Sequence, residues 1–242
     1  MKHPVTPLLA AAGFFAAAFF WWGTGTAAEP APVVVELFTS QGCSSCPPAD
    51  RLLGELARRD EVLPLSYHVT YWDRLGWPDT FGLEDSTRRQ EIYAGWLGSG
   101  RVYTPQMVIG GRIDVVGSSR GRVLRAVELL ESHAAPGPTL TITEGTLSVR
   151  GGEGADAAIW LVAFDDRHDV AIERGENRGR TLSYYHVVRE LTRLGDWHGR
   201  AAEFDLPLAR LSADGRDGAA ILVQRRSDGM ILAAARVSLP PG

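Results

Sequence analysis

The sequence has few cysteines and almost no lysine. Its 242 residues include two cysteines, and Lys2 is the single lysine, so arginine supplies nearly all of the positive charge. With 25 Lys and Arg against 29 Asp and Glu, the chain lacks the cationic excess that binds a polyanion, and we expect no nucleic-acid partner. Hydrophobic residues make up 45% and charged residues 22% of the chain, which excludes wholesale disorder.

The first 28 residues differ from the rest. Lys2 and His3 precede an apolar run from Leu8 to Trp22, and small residues follow up to Ala28. A positively charged N-terminal region, a short apolar core and small residues near a cleavage site are typical of a secretory signal. The run is shorter than the roughly 20 residues of a membrane-spanning helix, so we expect cleavage after Ala28 and no stable membrane insertion. The sequence therefore predicts an exported, periplasmic protein with a signal peptide at residues 1–28.

The two cysteines, Cys43 and Cys46, form a Cys-x-x-Cys pair. Such a pair is a poor structural staple, because it closes almost no loop. A zinc site would need further ligands, and the histidines do not show the paired spacing of such sites. In an oxidising compartment the pair indicates redox chemistry, and we expect neither a cofactor nor a resident metal.

The residues around the cysteines predict a βαβ unit. Val33–Phe38 is an apolar, β-branched run typical of a buried strand. The stretch 49–59 has leucines at helical spacing, and Val62–Val69 predicts a second strand. This order places both cysteines at the turn between the first strand and the helix.

Further elements follow before residue 135. A helix is predicted over Ser86–Leu97. Two short apolar runs on either side of Gly110-Gly111 predict a β-hairpin, and Ser118 or Ser119 is suited to cap a last helix.

These features resemble the thioredoxin superfamily. The resemblance rests on Cys43-Ser44-Ser45-Cys46 after the first strand, Thr104-Pro105 before the hairpin, and the final helix from about Ser118. More closely, Glu36 to Ser118 is similar to a domain-of-unknown-function family of secreted bacterial proteins with a thioredoxin-like fold. The motifs that carry this second resemblance are Leu37-Phe38-Thr39-Ser40-Gln41-Gly42-Cys43-Ser44-Ser45-Cys46-Pro47-Pro48-Ala49-Asp50, Tyr71-Trp72-Asp73 and Tyr103-Thr104-Pro105-Gln106.

The resemblance implies an α/β thioredoxin-like domain over residues 29–134, with a central mixed sheet flanked by helices. It also implies a cis-proline, Pro105, that faces the dithiol. A cis Thr104-Pro105 bond would leave the Thr104 backbone free to pair with an extended substrate. Tyr71 and Trp72 would lie at the same edge of the sheet, where they could line a substrate groove or cover the inserted segment.

The expected chemistry is thiol–disulfide exchange with a protein substrate and a redox partner protein. Cys43 is expected to be the more accessible cysteine and the nucleophile, helped by the dipole and free N–H groups of the following helix. Cys46 would resolve the mixed disulfide. Because Cys46 precedes a proline, regular helix could begin only at Pro47, which would reduce that help. Glu36 is the nearest acid in sequence before the cysteines and is either a buried proton acceptor for Cys46 or an edge-exposed or paired carboxylate.

Two other functions remain open. Reduced Cys-x-x-Cys pairs suit a soft metal, so the dithiol could hold Cu(I), with Met107 as a further ligand. Gly117-Ser118-Ser119-Arg120-Gly121 fits the Gly-x-Ser-x-Gly pattern of a hydrolase elbow, which would make Ser119 a nucleophile. Its acid and base would come from later residues, among Asp165, Asp166 and His168. A helix cap explains the same serines.

The second half carries little functional signal. Residues 135–138 (Ala-Pro-Gly-Pro) predict a linker. Residues 139–242 predict a small antiparallel β-sandwich-like domain of unknown role, with the stretch Tyr184–Leu194 ambiguous between strand and helix. The charged, glycine-containing loop at residues 174–180 is either a partner contact or a solvated hairpin tip.

Overall fold

The computed structural model describes Met1, residues 31–133 and residues 135–240. The predicted signal segment therefore lies outside the described residues, apart from Met1. Within the described ranges, no helix has the length and apolar character needed to span a membrane.

This part of the chain forms a large mixed sheet, a small antiparallel sheet and few helices. The helices are α1 (Pro47–Leu56), α2 (Glu84–Trp96), α3 (Arg120–Ser132) and α4 (Leu208–Ala213). The strands are β1 (Val33–Thr39), β2 (Val62–His68), β3 (Gln106–Ile109), β4 (Ile113–Val116), β5 (Thr139–Thr143), β6 (Thr146–Arg150), β7 (Ala157–Ala171), β8 (Thr181–Trp197), β9 (Ala202–Asp205), β10 (Gly218–Arg225) and β11 (Ile231–Val237).

The first half packs helices on both faces of its strands. β1 and β2 are parallel and joined through α1, while β3 pairs antiparallel with both β1 and β4. Successive side chains of a strand point to opposite faces, so Leu37 packs with α1 and α3 whereas Phe38 packs with Tyr93 of α2. Burial on both faces explains why β1 and β2 are continuous apolar runs.

The large sheet continues into the second half of the chain. Its strand order is β11-β10-β7-β8-β2-β1-β3-β4, and β8 meets β2 in a short parallel contact between Ser66 and Val187. One hydrophobic cluster also contains residues of both halves, among them Phe38 and Leu222. This differs from the separate β domain expected over residues 139–242. Without this contact β2 and β8 would each leave a row of unpaired backbone groups.

The predicted division of the chain is visible only locally. Residues 135–138 contain no helix or strand, and the domain boundaries themselves stay a prediction. The small sheet, in the order β5-β6-β9, packs Leu147 and Val149 against Ile159 of β7 and Ile221 of β10. That two-layered arrangement is the part of the structure that corresponds to the expected sandwich.

The hairpin of β7 and β8 is longer than the sequence indicated. The apolar run Ala157–Phe164 predicts a strand, but β7 continues to Ala171, and the ambiguous stretch Tyr184–Leu194 lies within β8. The far part of this hairpin packs against α1, where a Cβ on Gly54 would collide with the Tyr185 ring. The tip of the hairpin, residues 172–180, consequently reaches the cysteine turn.

Candidate functional site: the Cys43–Cys46 turn

The turn between β1 and α1 holds a bonded cysteine pair. Cys43 and Cys46 form a disulfide. The Cys43 N–H donates to Ser40 O (3.1 Å), and the Cys46 N–H donates to Cys43 O (3.2 Å). Cys46 is the residue before the helix, which begins at Pro47 as the proline predicted.

The start of α1 offers no free donor to Cys43, which corrects the expected help from the helix. Pro47 and Pro48 have no N–H. The N–H groups of Ala49 and Asp50 both donate to Cys46 O, at 2.8 and 3.1 Å. The four N–H groups that a helix normally leaves unpaired are therefore absent or used. A Cys43 thiolate would have to be stabilised by other groups.

Both cysteines are fully buried, with 0% of each residue exposed. The expectation that Cys43 would be accessible is therefore wrong for this state of the protein. The second half of the chain contacts this turn. Asn177, in the tip of the β7–β8 hairpin, donates from Nδ2 to both Gln41 O and Cys43 O at 2.9 Å.

Thr104 and Pro105 lie beside the cysteine turn, as expected. The Thr104–Pro105 peptide bond is cis. Ser45 Oγ bridges the two segments, lying 3.4 Å from Cys43 Sγ and 3.5 Å from Thr104 O. Ser45 is thus the hydroxyl nearest to the Cys43 sulfur in the described chain, and sequence reasoning gave it no role.

Trp72 joins the same site. Trp72 Nε1 donates to Thr104 Oγ1 at 2.8 Å. A Cβ added to Gly42 would lie 3.3 Å from the Trp72 Cβ. Tyr71 is half-buried and donates to Gln90 Oε1 at 3.2 Å, and burial raises the pKa of Tyr71 to about 12. Both side chains are partly buried and pack against the hydrophobic core next to α2, and their role as groove or cover stays a prediction.

Glu36 does not lie with the dithiol. It is fully buried on the α2 face of the sheet, where Arg89 Nε donates to it at 2.5 Å and Tyr93 OH donates to its other oxygen. Burial alone would lower the pKa of Arg89, but Glu36 raises it above its ordinary value, so the pair is ionic. Of the two interpretations of Glu36, the structure supports the paired carboxylate.

The buried acid on the cysteine side is Asp50, which the sequence analysis did not select. It lies four residues after Cys46 in α1, a spacing that puts two side chains on the same face of a helix. Its Oδ1 accepts a hydrogen bond from Thr39 Oγ1 at 2.8 Å, and its Oδ2 has no partner among the described residues. Burial raises the pKa of Asp50 to about 7, although Thr39 and His68 oppose the shift.

His68 and Asp79 form a buried pair next to Asp50. His68 is the register partner of Thr39, so the two side chains lie on the same face of the sheet. Its Nδ1 lies 2.8 Å from Asp79 Oδ2, which also accepts from the Gln41 N–H at 2.7 Å. Burial acts to raise the pKa of Asp79, but His68 and backbone N–H groups outweigh burial and lower this pKa. Asp79 therefore holds the cysteine turn as an acceptor.

The structure does not assemble the alternative hydrolase site. Asp165 and His168 do pair, at 2.8 Å, but they lie in β7, and Arg189 and Arg216 also bind Asp165. Ser119 is the residue before α3, next to β4. Five strand steps separate β4 from β7, roughly 24 Å at the usual spacing. Ser119 is therefore not the nucleophile of a triad with these residues.

The possible soft-metal ligand Met107 belongs to a hydrophobic cluster. It is fully buried among Leu37, Ala49 and Val123. In the described part of the chain, no group of three or more His, Cys, Asp or Glu side chains is arranged to hold a metal. The dithiol would contribute two sulfur ligands once reduced.

Together these residues define the class of protein: a mixed α/β protein with a bonded Cys-x-x-Cys pair at a strand-to-helix turn. The chain belongs to the DUF1223 family, described as a protein of unknown function, whose model matches residues 34–224. No curated protein matches the chain.

The chain is similar to solved structures, among them the following two. The crystal structure of protein AGR_C_4864 from Agrobacterium tumefaciens is 30% identical with a TM-score of 0.75, over 89% of this chain and 98% of that chain. HBP35 of Porphyromonas gingivalis is similar in fold, with 14% identity and a TM-score of 0.53, over 87% of this chain and 76% of that chain. The first similarity shows a family relationship and the second shows a shared fold. Neither gives a reaction, so the reaction is argued from the site.

Proposed function

We propose that the protein is an exported thiol–disulfide oxidoreductase that acts on protein thiols or disulfides through Cys43 and Cys46, on a thioredoxin-like N-terminal half. The observation that carries the proposal is the combination at one turn. A bonded Cys-x-x-Cys pair follows a parallel strand, Ser45 links it to the cis Thr104–Pro105 segment, and a buried carboxyl lies one helical turn from Cys46. A disulfide that only stabilised the fold would need neither the link to the Thr104–Pro105 segment nor the buried carboxyl.

The reaction balances as a two-electron exchange. In the reduced protein, the Cys43 thiolate attacks one sulfur of a substrate disulfide, and the electron pair of the broken S–S bond leaves on the other substrate sulfur. Cys46 then attacks Cys43 Sγ, its proton passes to Asp50, and the second substrate sulfur leaves as a thiolate. The cysteine pair loses two electrons and the substrate gains two. A thiol-bearing redox partner protein restores the dithiol by the reverse steps.

Asp50 suits the role first considered for Glu36. A general base works best when its pKa lies near the working pH, and the pKa of Asp50 is raised to about 7 by burial. Thr39 holds Oδ1, so Oδ2 is the atom available to accept the proton. Thr104, Pro105, Tyr71 and Trp72 would receive the substrate segment beside Cys43.

Catalysis of exchange tests this function. The rate at which glutathione reduces a protein disulfide substrate is measured with wild type and with Cys43→Ser and Cys46→Ser (C43S and C46S). Wild type should accelerate the exchange, while C43S should abolish the acceleration. Equal rates for wild type and C43S would refute the proposal. Stoichiometric Cu(I) retention by the reduced wild type without any exchange would instead favour the soft-metal function.

A further inference from the structure

The tip of the β7–β8 hairpin, residues 172–180, lies on the cysteine turn although it is more than 130 residues away in sequence. Asn177 is its central contact. This side chain is fully buried, and its Nδ2 donates two hydrogen bonds of 2.9 Å, to Gln41 O and to Cys43 O. One amide group thus holds the carbonyls on both sides of Gly42.

Asn177 is itself held in place. Its Oδ1 accepts from Arg180 Nη1 at 2.8 Å, and its carbonyl accepts from the Arg180 N–H at 3.2 Å. The tip is closed by the Gly179 N–H, which donates to Ile172 O at 2.8 Å. Glu176 adds a weaker contact, since its Oε2 accepts from the Ser44 N–H at 3.3 Å. In the described chain, three hydrogen bonds therefore join the tip to the turn, two from Asn177 and one to Glu176.

The base of the hairpin has a different character. Ile172, Leu182 and Tyr184 pack with Phe81 in a hydrophobic cluster. Between these anchors the residues at 173–176 and 178–180 are exposed, and Gly175 and Gly179 have positive φ angles of 75° and 79°. Apolar burial fixes the base, whereas hydrogen bonds join the tip to the cysteine turn, so opening of the tip leaves the packing of the base in place.

We propose that Asn177 is a positioning residue that controls the access of thiols to Cys43. A thiolate must approach Cys43 Sγ along the S–S bond, and that sulfur belongs to a residue with no exposed surface in the closed state. Release of Asn177 uncovers the disulfide and frees the Gln41 and Cys43 carbonyls. Those two acceptors then receive main-chain N–H groups of an extended polypeptide thiol, which takes the place of the Asn177 amide.

Reduction of the disulfide by dithiothreitol measures this access directly. Second-order rate constants for the loss of the Cys43–Cys46 bond are compared for wild type, Asn177→Ala (N177A) and the isosteric Asn177→Asp (N177D), both of which lack the amide donor. We expect both variants to react about tenfold faster than wild type, the effect of losing two hydrogen bonds that close a local turn. If N177A does not fold, N177D alone provides the comparison with wild type.

Two controls separate release of the tip from general destabilisation. Arg178→Ala (R178A) alters an exposed residue of the same tip, and Leu222→Ala (L222A) destabilises the core far from the tip. Both should react at the wild-type rate under native conditions. The proposal is overturned if N177A and N177D match wild type, or if L222A accelerates reduction as much as they do.

The inference rests on the proposed function only in naming a polypeptide thiol as substrate, and a second measurement keeps the two apart. A peptide with one central cysteine replaces dithiothreitol. The ratio of its rate constant to that of 2-mercaptoethanol is measured in wild type and in N177A. The ratio per thiolate should be about ten in wild type and in N177A alike, because both thiols need the tip released but only the peptide has main-chain N–H groups that pair with the Gln41 and Cys43 carbonyls. A ratio near one in both proteins overturns the pairing with a polypeptide thiol. Faster dithiothreitol reduction without catalysed exchange in wild type would defeat the proposed function alone.

Discussion

Thr39, the last residue of β1, donates a 2.8 Å hydrogen bond to Asp50 in the first turn of α1. This bond ties the strand that leads to the cysteines to the helix that follows them. It orients the buried carboxyl with one oxygen occupied and the other unpartnered among the described residues, one helical turn from Cys46. Burial raises the pKa of this carboxyl to about 7 although the Thr39 bond opposes the shift, and both effects can be tested by measurement.

The first prediction concerns the resolving step. Asp50→Asn (D50N) keeps the acceptor for Thr39 but cannot take a proton from Cys46. Resolution of a mixed disulfide on Cys43 should rise with pH through about 7 in wild type, the pKa of Asp50. In D50N it should be about a hundredfold slower at pH 7, a loss typical for removal of a general base. Stopped-flow decay of the mixed disulfide measures it.

A matched control for this experiment is Asp85→Asn, which alters an exposed acid at the start of α2. It should keep the wild-type rate and profile. If D50N follows the same pH profile as wild type at an equal rate, Asp50 is not the proton acceptor.

The second prediction concerns stability. The pKa of Asp50 is about 7 in the folded protein and 3.8 as the ordinary value, so the folded state binds this proton more tightly. Raising the pH from about 4 to 7 therefore lowers the free energy of unfolding, by about 4 kcal/mol for roughly three pK units. D50N has no such proton, so its advantage over wild type should grow by this amount from pH 4 to pH 8. Urea unfolding at both pH values tests it, and an identical pH dependence in the two proteins would contradict the account.

The third prediction separates Glu36 from Asp50. Glu36→Gln (E36Q) leaves the buried Arg89 without a charged partner. Removing one member of a buried ion pair costs about 3 to 5 kcal/mol, so urea unfolding should show a loss of that order. Glu84→Gln, at an exposed position on α2, should leave stability nearly unchanged. The folded E36Q protein should keep the pH profile of resolution, and loss of that profile would return Glu36 to the proton-acceptor role.

The fourth prediction concerns Ser45. Its hydroxyl lies 3.4 Å from Cys43 Sγ, and the helix start supplies no free N–H to this sulfur. In a C46S background, Ser45→Ala should therefore slow alkylation of Cys43 by iodoacetamide at pH 7 by about threefold, the effect of one weak hydrogen bond. Ser44→Ala alters the neighbouring exposed serine and should have no effect. Equal alkylation rates for both variants would show that Ser45 does not assist the thiolate.

Local sequence patterns predicted much of the first half. The apolar run at β1, the leucine spacing in α1 and Gly110-Gly111 in the β3–β4 hairpin each determine structure over a few residues. Pro47 predicted where α1 begins, whereas the cis Thr104–Pro105 bond was implied by the resemblance to a known family and not by a local pattern.

Long-range contacts account for what the sequence did not predict. The bonds from Asn177 to Gln41 and Cys43 span 136 and 134 residues, and no periodicity signals them. The contact of β8 with β2 likewise depends on packing of the whole sheet. Asp50 was given no role in the sequence analysis. Its position four residues after Cys46 was a signal that the helical spacing could have revealed.

The most direct test of the central claim is an equilibrium titration of the disulfide in glutathione redox buffers, with free thiols trapped and counted by mass. Wild type should pass reversibly between zero and two free thiols in one two-electron transition. C46S should accumulate one glutathione on Cys43, and C43S should show no such attack at the remaining cysteine. A disulfide that stays closed across the whole range, in wild type and in N177A alike, would contradict the account.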